Sequence, residues 1–185
     1  MGAGRAPKRV MLFSGLLYCD GAPLAASVER MKEAFGPVLL ETAASGWHSS
    51  YYATELGSAG IKRKFFFFER LICPGELADI KLQTNGIESG LSEEEKRKVN
   101  IDPGYITPAR IVLASTKDYA HRVYLQKGIY AEVTMLWSKK EKTFVPHLFT
   151  YSDFRDEGNI RVFSRMRDAL QAQLAAGSQT FPGCK

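Results

Sequence analysis

The stretch IKRKFFFFERLI, residues 61–72, decides the fold, because its four consecutive phenylalanines leave no polar face. A strand with one solvated face alternates apolar and polar residues, whereas a strand covered on both faces is a continuous apolar run. We therefore predict a central strand with other elements packed on both of its sides. The residues from Phe65 to Phe68 are taken as core and not as a platform for base stacking.

The segments around this run have recognisable periods. An apolar run that begins near Lys8 predicts a buried first strand, and the segment after it predicts a helix closed by Gly36. Apolar residues recur at steps of three and four over residues 77–91, which predicts an amphipathic helix. Pro146 places another strand at a sheet edge, since proline cannot donate to a ladder. A last helix is predicted from about Asn159.

Three further segments are assigned from local signals. Residues 37–43 and 49–56 are strand candidates. Thr107 and Pro108 are the expected N-cap and first-turn pair for a short helix over residues 108–116. Strands and helices alternate without βαβ regularity, so we predict an α+β fold: a mostly antiparallel sheet with three to four helices packed on it, in a single domain.

Length and composition are typical of one globular domain. The chain has 185 residues, of which 45% are hydrophobic, so it can bury a core of its own. We predict a disordered N-terminus over 1–7, one α+β domain over 8–176 and a loose tail over 177–185. No apolar segment approaches the length that spans a membrane. The net charge of +5 favours anionic ligands weakly, and nucleic-acid binders usually show stronger basic clustering.

The cysteines indicate the compartment. Cys19, Cys73 and Cys184 are odd in number and have no ligand spacing. We therefore predict neither a disulfide framework nor a structural zinc site, and we expect a cytoplasmic protein.

The stretch HRVYLQKGIYAEVTMLW, residues 121–137, predicts a hairpin. A three-residue loop ending in Gly128 suits a type I turn with a G1 bulge. On one face this register pairs Leu125 with Ile129, Val123 with Ala131 and His121 with Val133. On the other face it pairs Tyr124 with Tyr130 and Arg122 with Glu132. A two-residue loop at Lys127 and Gly128 would mix polar and apolar side chains on both faces, so we prefer the first register.

The stretch VNIDPGYITPARIV, residues 99–112, has two interpretations. Asp102, Pro103 and Gly104 have the composition of a turn, in which Asp102 bonds its own backbone. A turn does not explain Asn100 and Tyr105, which add an amide and a phenol on either side of the same short segment. The second interpretation makes the loop one wall of a ligand site. The sequence leaves both open.

The polar face of the hairpin is similarly ambiguous. Its members are Arg122, Tyr124, Tyr130, Glu132 and Thr134. They form either a cross-strand ion pair with tyrosines on a solvated surface or the floor of a pocket in which Arg122 grips a phosphate or carboxylate. For His121, a satisfied buried histidine is favoured over a general base.

Two further groups of polar residues could contribute to a site. Lys81, Asn85 and Glu88 lie on one stripe of the amphipathic helix, where they form an ordinary edge or reach into a cleft. Asp102, Glu132 and Asp153 could converge on Mg²⁺, but no spacing establishes this, and no metal site is predicted.

Several ordered motifs carry a resemblance to a known family. They are YYATELG, IKLQTNGIE, NIDPGY, HRVYL, GIYAEVTM and FTYSDFR. Together they resemble a bacterial family of unknown function, domain-of-unknown-function family four-four-one-six, typified by an Asn-Leu-Asp-Pro-Gly-Tyr signature. The resemblance covers almost the whole chain, with Leu56, Ile101 and Ser152 as departures.

The resemblance implies no activity, although some members carry a GTP-binding label. The residues do not support a GTPase architecture. No GxxxxGK loop is present to wrap phosphates, and STKDYAH only echoes a guanine-binding Lys-x-Asp pattern, because its Lys and Asp are adjacent. Nucleotide binding by another kind of pocket remains open.

The leading hypothesis is a cytoplasmic domain that binds, and in an enzymatic version processes, a small anionic ligand such as a nucleotide or a phosphorylated metabolite. The candidate ligand-binding residues are Asn100, Asp102, Tyr105, Lys117, Arg122, Tyr124, Tyr130 and Glu132. A secondary set comprises Glu55, Lys81, Asn85, Glu88 and Asp153. The enzymatic version needs a base or metal, for which Asp102, His121 and Glu132 are candidates. No cofactor is assigned. The alternatives are a non-catalytic protein-interaction module and RNA binding, which the moderate charge disfavours.

Overall fold

A computed structural model describes residues 2–47, 56, 60–94, 96–176 and 184. Glu55, and all but the last residue of the strand predicted over 49–56, lie outside the described residues. None of the described helices is long and apolar enough to cross a membrane.

The described residues form one antiparallel sheet of nine strands with three α-helices. The strands are β1 (Val10–Tyr18), β2 (Val38–Glu41), β3 (Ser45–Gly46), β4 (Lys62–Ile72), β5 (Val99–Ile106), β6 (Arg110–Ser115), β7 (Val123–Gln126), β8 (Ile129–Ser138) and β9 (Thr143–Pro146). The helices are α1 (Gly21–Phe35), α2 (Leu77–Ser89) and α3 (Glu157–Ala176), with short 3₁₀ helices at Pro74–Glu76 and Ser152–Arg155. The strand order is β2-β4-β1-β5-β6-β8-β7, with β3 on β4 and β9 on β8. The predicted α+β class is confirmed.

Strand β4 is the buried strand that the phenylalanine run predicts. It lies between β2 and β1 and is covered on both faces. Phe65 and Phe67 pack with Phe13 and with Phe163 of α3 on one face. Phe66 and Phe68 face the opposite side, where α1 and α2 pack. The sheet is thus a central layer between α3 on one face and the pair α1 and α2 on the other.

The signature NIDPGY is not a turn. It lies in β5, which pairs with β1 from Val99 opposite Tyr18 to Ile106 opposite Met11. The turn interpretation is wrong because it rested on local chemistry alone, whereas β1 offers an uninterrupted partner. The ladder with β6 is shorter, from Gly104 to Ile106.

The helix predicted over residues 108–116 is also wrong. Thr107 does bond to the chain three residues ahead, but in a tight turn: its Oγ1 accepts from the amide of Arg110 at 2.9 Å, and its amide donates to the carbonyl of Arg110 at 2.9 Å. The strand β6 starts at once. A threonine hydroxyl serves a hairpin turn as well as a helix start, and β-branched Ile111 and Val112 favour a strand.

The hairpin of β7 and β8 exists with a different loop. Lys127 and Gly128 have φ of 53° and 74°, which forms a two-residue turn with positive φ at both positions. Gln126 therefore pairs with Ile129, and the predicted pairing of Leu125 with Ile129 is wrong. A bulge at Leu125 restores the predicted pairs Val123 with Ala131 and Tyr124 with Tyr130.

The prediction of no disulfide is wrong as well. Cys73 and Cys184, separated by 111 residues, form a disulfide, and Cys19 is free. Cys73 directly precedes the 3₁₀ helix that leads into α2, so the bond ties Cys184 to the start of that helix. Such a pair has no spacing signature, which is why counting cysteines missed it.

Candidate ligand-binding slot

The candidate site is an opening between β5 and β6, which we call the slot. The ladder between these strands ends at Gly104, which lies opposite Leu113. The residue that precedes Gly104 in β5 is Pro103, which has no backbone N–H to donate. Beyond it, Asn100 and Asp102 on one side face Ala114 and the loop after β6 on the other. Proline thus marks the point where the sheet opens.

Side chains of α2 replace the missing strand partner of β5. Nζ of Lys81 donates to the carbonyl of Ile101 at 2.7 Å, and Oε1 of Glu88 accepts from the amide of Ile101 at 2.5 Å. Both side chains are buried. Backbone groups of residues two apart in a strand point to the same edge, so Ile101 and Pro103 face the slot side together. The strand keeps its hydrogen bonds there without β6.

The slot is rich in charge and has an excess of cations. Five basic side chains line it: Arg63, Lys81, Arg97, Lys117 and Arg122. Three acidic side chains do so: Asp102, Glu132 and Asp153. The amides of Asn85 and Asn100 and the hydroxyls of Ser115, Thr116 and Tyr151 add uncharged polar groups. An opening with more fixed positive than negative charge favours an anionic ligand.

Arg63 reaches the slot from β4 across the intervening strand β1. Its guanidinium lies over Gly15, where a Cβ atom would sit 2.5 Å from one of its nitrogens. Nε of Arg63 is 2.9 Å from Oδ2 of Asp153, and NH1 is 3.3 Å from Oδ2 of Asp102. Glycine at position 15 is therefore what lets one buried cation pair with two carboxylates.

The two carboxylates have different surroundings. Asp102 is partly exposed and accepts from the amide of Asn100 at 2.8 Å, with Nζ of Lys81 at 3.7 Å. Asp153 is buried, and its Oδ1 has no hydrogen-bond partner among the described residues. Burial raises the pKa of Asp153, against the attraction of Arg63, which lowers it. Protonation therefore costs less free energy at Asp153 than at an ordinary aspartate.

Arg122 organises the far wall of the slot. Nε donates to Oε2 of Glu132 at 2.7 Å, NH1 donates to Oγ of Ser115 at 2.6 Å and to the carbonyl of Lys117 at 2.9 Å, and NH2 donates to the hydroxyl of Tyr151 at 2.6 Å. These bonds use four of the five N–H groups of a guanidinium. Arg122 therefore holds the loop after β6 against β8. Within the described part of the chain, one of its N–H groups makes no hydrogen bond and is available to a ligand.

Tyr151 adds a hydroxyl to the same wall. Burial, and secondarily the charge of Glu132, raise the pKa of Tyr151, so the phenol stays protonated at neutral pH. Because its oxygen already accepts from Arg122, its proton is directed elsewhere and is available to a ligand oxygen.

Arg97 stands at the mouth of the slot with 48% of its side chain exposed. NH1 lies 3.4 Å from Oε2 of Glu88 and 3.4 Å from Oδ1 of Asn100. Among the described residues, its Nε and NH2 make no hydrogen bond or ion pair. Burial raises the pKa of Glu88, while the nearby Lys81 opposes that rise. Arg97 is thus the basic side chain of the slot with the most donors left for an anion.

His121 lies behind the slot wall. Its Nε2 is 3.0 Å from Oε2 of Glu132, and its ring stacks on Phe149 at 4.4 Å between centroids. The histidine is paired, as predicted, but it is only partly buried, with 17% of its side chain exposed.

The structure brings eight of the candidate residues together in the slot. They are Lys81, Asn85, Asn100, Asp102, Lys117, Arg122, Glu132 and Asp153. Glu88 sits behind the slot, on the amide of Ile101. Tyr105 packs against the core on the α1 and α2 side, and Tyr124 and Tyr130 contact each other edge to face on the hairpin. These three tyrosines do not line the slot.

Sequence reasoning missed several residues of the slot, among them Arg63, Arg97, Ser115 and Tyr151. A signal existed for Arg63. It shares a strand face with Phe65 and Phe67, so a strand buried on both faces must also bury this charge. Arg97 lies in a charge-rich segment, where one basic residue does not stand out.

In the described part of the chain, no group of three His, Cys, Asp or Glu side chains is placed to hold a metal ion. The reason is visible for the Mg²⁺ set of Asp102, Glu132 and Asp153. Arg63 pairs with both aspartates, and Arg122 pairs with Glu132, so cations of the protein occupy these carboxylates.

A family model described as "Domain of unknown function (DUF4416)" matches residues 8–170. No curated protein and no solved structure gives a significant match to the chain.

Proposed function

The chain belongs to the DUF4416 family, and from this premise we propose that it binds a small anionic ligand, a nucleotide or a phosphorylated metabolite, in the slot. The single observation that supports this most is the set of five basic side chains facing three carboxylates around one opening. Arg63, Lys81 and Arg122, whose side chains are at most 7% exposed, each lie beside a carboxylate of the slot. The attraction for a ligand is therefore expected at the mouth, where Arg97 is half-exposed.

Arg97 is the proposed anion-binding residue. Its planar guanidinium retains Nε and NH2, the two donors that suit a bidentate contact with phosphate or carboxylate. The hydroxyl of Tyr151 and the last N–H of Arg122 stand on the opposite wall. A ligand oxygen between these groups would meet donors from both sides.

A thermal-shift screen against inorganic phosphate, sugar phosphates and nucleotides tests the proposal. A ligand at about 100 times its dissociation constant adds about 2.7 kcal/mol of stability, which is a readily measured shift. We expect a shift in the wild type that is lost in Arg97→Ala. The ligand-free variant should melt close to the wild type, because both contacts of Arg97 are at 3.4 Å and its own side chain is half-exposed.

The matched control is Arg161→Ala, which removes one positive charge from the exposed side of α3. It should retain the shift. Equal loss in both variants would mean that net charge, and not the slot, attracts the ligand. No shift with any compound would sink the proposal.

A non-catalytic interaction module is the second candidate function. The edge strand β7 exposes Val123 by 70% and Tyr124 by 56%, which is more apolar surface than an edge strand usually shows to water. This candidate would be favoured if the wild-type protein formed a defined complex with a partner protein and the Val123→Lys variant did not.

The cytoplasmic location is also part of the proposal, and the Cys73–Cys184 pair offers a check on it. Reducing compartments keep thiols free. Alkylation of thiols in freshly lysed cells should therefore label both cysteines if the protein is cytoplasmic. Protection of both would place the protein in an oxidising compartment.

A further inference from the structure

Exposed aromatic side chains form a rim next to the slot. Tyr119, Phe149 and Tyr151 are 51%, 48% and 41% exposed. Tyr151 lines the slot, and Tyr119 and Phe149 are connected to it through Arg122 and through His121 and Glu132. Isolated aromatic rings on a surface are ordinary, but three that are connected to one polar wall are not. We call these three residues the aromatic rim.

Tyr119 and Tyr151 are held by Arg122 of the slot wall, and Phe149 is held by His121, which lies behind that wall. The guanidinium of Arg122 lies 4.6 Å from the centre of the Tyr119 ring, and the same group donates to the hydroxyl of Tyr151. Phe149 stacks on His121 with an angle of 4° between ring planes, and His121 in turn is held by Glu132. The rim and the polar wall are therefore one connected arrangement.

Fixed and exposed rings suit a flat partner. Stacking on an aromatic side chain requires a ring that is already oriented, so that little conformational entropy is lost on binding. Arg122 and His121 supply that orientation here, while the exposed area of Tyr119 and Phe149 is open to a ligand. A simple phosphate has no surface that would use it, and a sugar ring offers less flat area than an aromatic base.

We infer that the ligand of the slot carries a planar aromatic ring beside its anionic group, as a nucleotide does, and that this ring stacks on Tyr119 or Phe149. The inference rests on the proposed function, since it assumes that the slot binds the anionic end. It separates the two ligand classes left open above: a nucleotide uses both rim and slot, whereas a sugar phosphate uses the slot alone.

Calorimetric titration of matched ligands tests this. The four common nucleoside 5′-monophosphates are compared with ribose 5-phosphate, which has the same anionic end without a base. The variants are Tyr119→Ala and Phe149→Ala, with Tyr119→Phe and Phe149→Tyr as versions that keep the ring. Leu148→Ala is the control, because Leu148 is 83% exposed in the same loop and has no side-chain role in the slot.

We expect at least one nucleotide to bind more tightly than ribose 5-phosphate. At least one of the two alanine variants should weaken that nucleotide by about fivefold or more, with ribose 5-phosphate unchanged. The ring-keeping variants and Leu148→Ala should bind like the wild type.

Three results would overturn the inference. If ribose 5-phosphate binds as tightly as every nucleotide, the base contributes nothing to binding and the inference fails, although the proposed function survives. Alanine variants that weaken both ligands equally, or neither ligand, show that the rim does not contact the base. Wild-type protein that binds none of the five compounds defeats the inference and the proposed function together.

Discussion

The two halves of β5 are built differently, although they belong to one strand. The half from Gly104 to Ile106 is paired with β1 on one side and β6 on the other. The half from Val99 to Pro103 is paired with β1 alone, and Lys81 and Glu88 of α2 hydrogen-bond its other edge at Ile101. The closed half is part of an ordinary sheet core, while the open half borders the slot.

The difference shows how a sheet can open without exposing its backbone. Pro103 ends the ladder, and two charged side chains from a helix replace the missing strand. The arrangement requires buried charges, which are stable only while each keeps its partner. The open half should therefore be sensitive to loss of single charges and the closed half to changes of shape.

The largest effect is expected for Arg63→Ala. It leaves Asp102 and Asp153 without their shared cation, one of them deeply buried, so we expect a loss of about 3–5 kcal/mol in the free energy of unfolding. Urea denaturation measures it. A loss below about 1 kcal/mol would mean that the cluster is hydrated and contributes little.

Lys81→Met is expected to have the next largest effect. It keeps the aliphatic stem but leaves the carbonyl of Ile101 without its charged donor, at a cost of about 1.5–3 kcal/mol. The control is Lys127→Met, whose pair with Asp79 is exposed and should contribute at most about 1 kcal/mol. Equal losses in the two variants would contradict the role given to α2.

Two glycine substitutions compare the halves directly. In the closed half, a Cβ at Gly104 would meet the carbonyl oxygen of Val112 at 2.4 Å and the ring of Phe13 at 2.6 Å, so Gly104→Ala should cost about 1–3 kcal/mol. Gly15 of β1 lies opposite Asp102 of the open half, and a Cβ there would meet the guanidinium of Arg63 at 2.5 Å and the ring of Phe65 at 2.9 Å. Gly15→Ala should cost a similar amount of stability, because it displaces the buried guanidinium from its carboxylates, yet it should weaken ligand binding more than Gly104→Ala does. A larger loss of ligand binding in Gly104→Ala would contradict the comparison.

The smallest expected effect is a pH dependence of the free energy of unfolding that arises from Glu88. Burial raises its pKa above 4.5, so the folded state holds the proton more tightly than the unfolded state does. Its contribution to stability is then complete below the unfolded pKa and is lost as pH rises through the folded pKa. The stability of the wild type relative to Glu88→Gln should fall as pH rises from about 4.5. A relative stability that rises with pH would show that Lys81 and Arg97 dominate instead.

The sequence predicted elements that have one strong physical signal. A strand covered on both faces is the simplest account of the phenylalanine run, and the steps of three and four in α2 indicate a helix. The predictions from the sequence were wrong at NIDPGY and at Thr107. The same residues suit two local structures there, and pairing with a strand that is distant in sequence decides between them. The register of β5 against β1 depends on tertiary contacts, which no short stretch of sequence contains.

The site was predicted in part for a similar reason. Asn100, Asp102, Arg122 and Glu132 are near one another in sequence around the hairpin, so they could be grouped. Arg63 joins them only because β4 and β5 flank β1, and Gly15 allows its guanidinium to cross. That contact depends on strand order, which the sequence did not give.

The central claim is that the opening between β5 and β6 binds an anion. An amide-resolved NMR titration of the ¹⁵N-labelled protein with a nucleoside monophosphate tests it most directly, because it reports location as well as affinity. We predict saturable shifts concentrated at Arg97, Asn100 and the residues from Ser115 to Lys117, with amides of the closed half of β5 little changed. Shifts that do not saturate, or that cluster away from the slot, would contradict the claim.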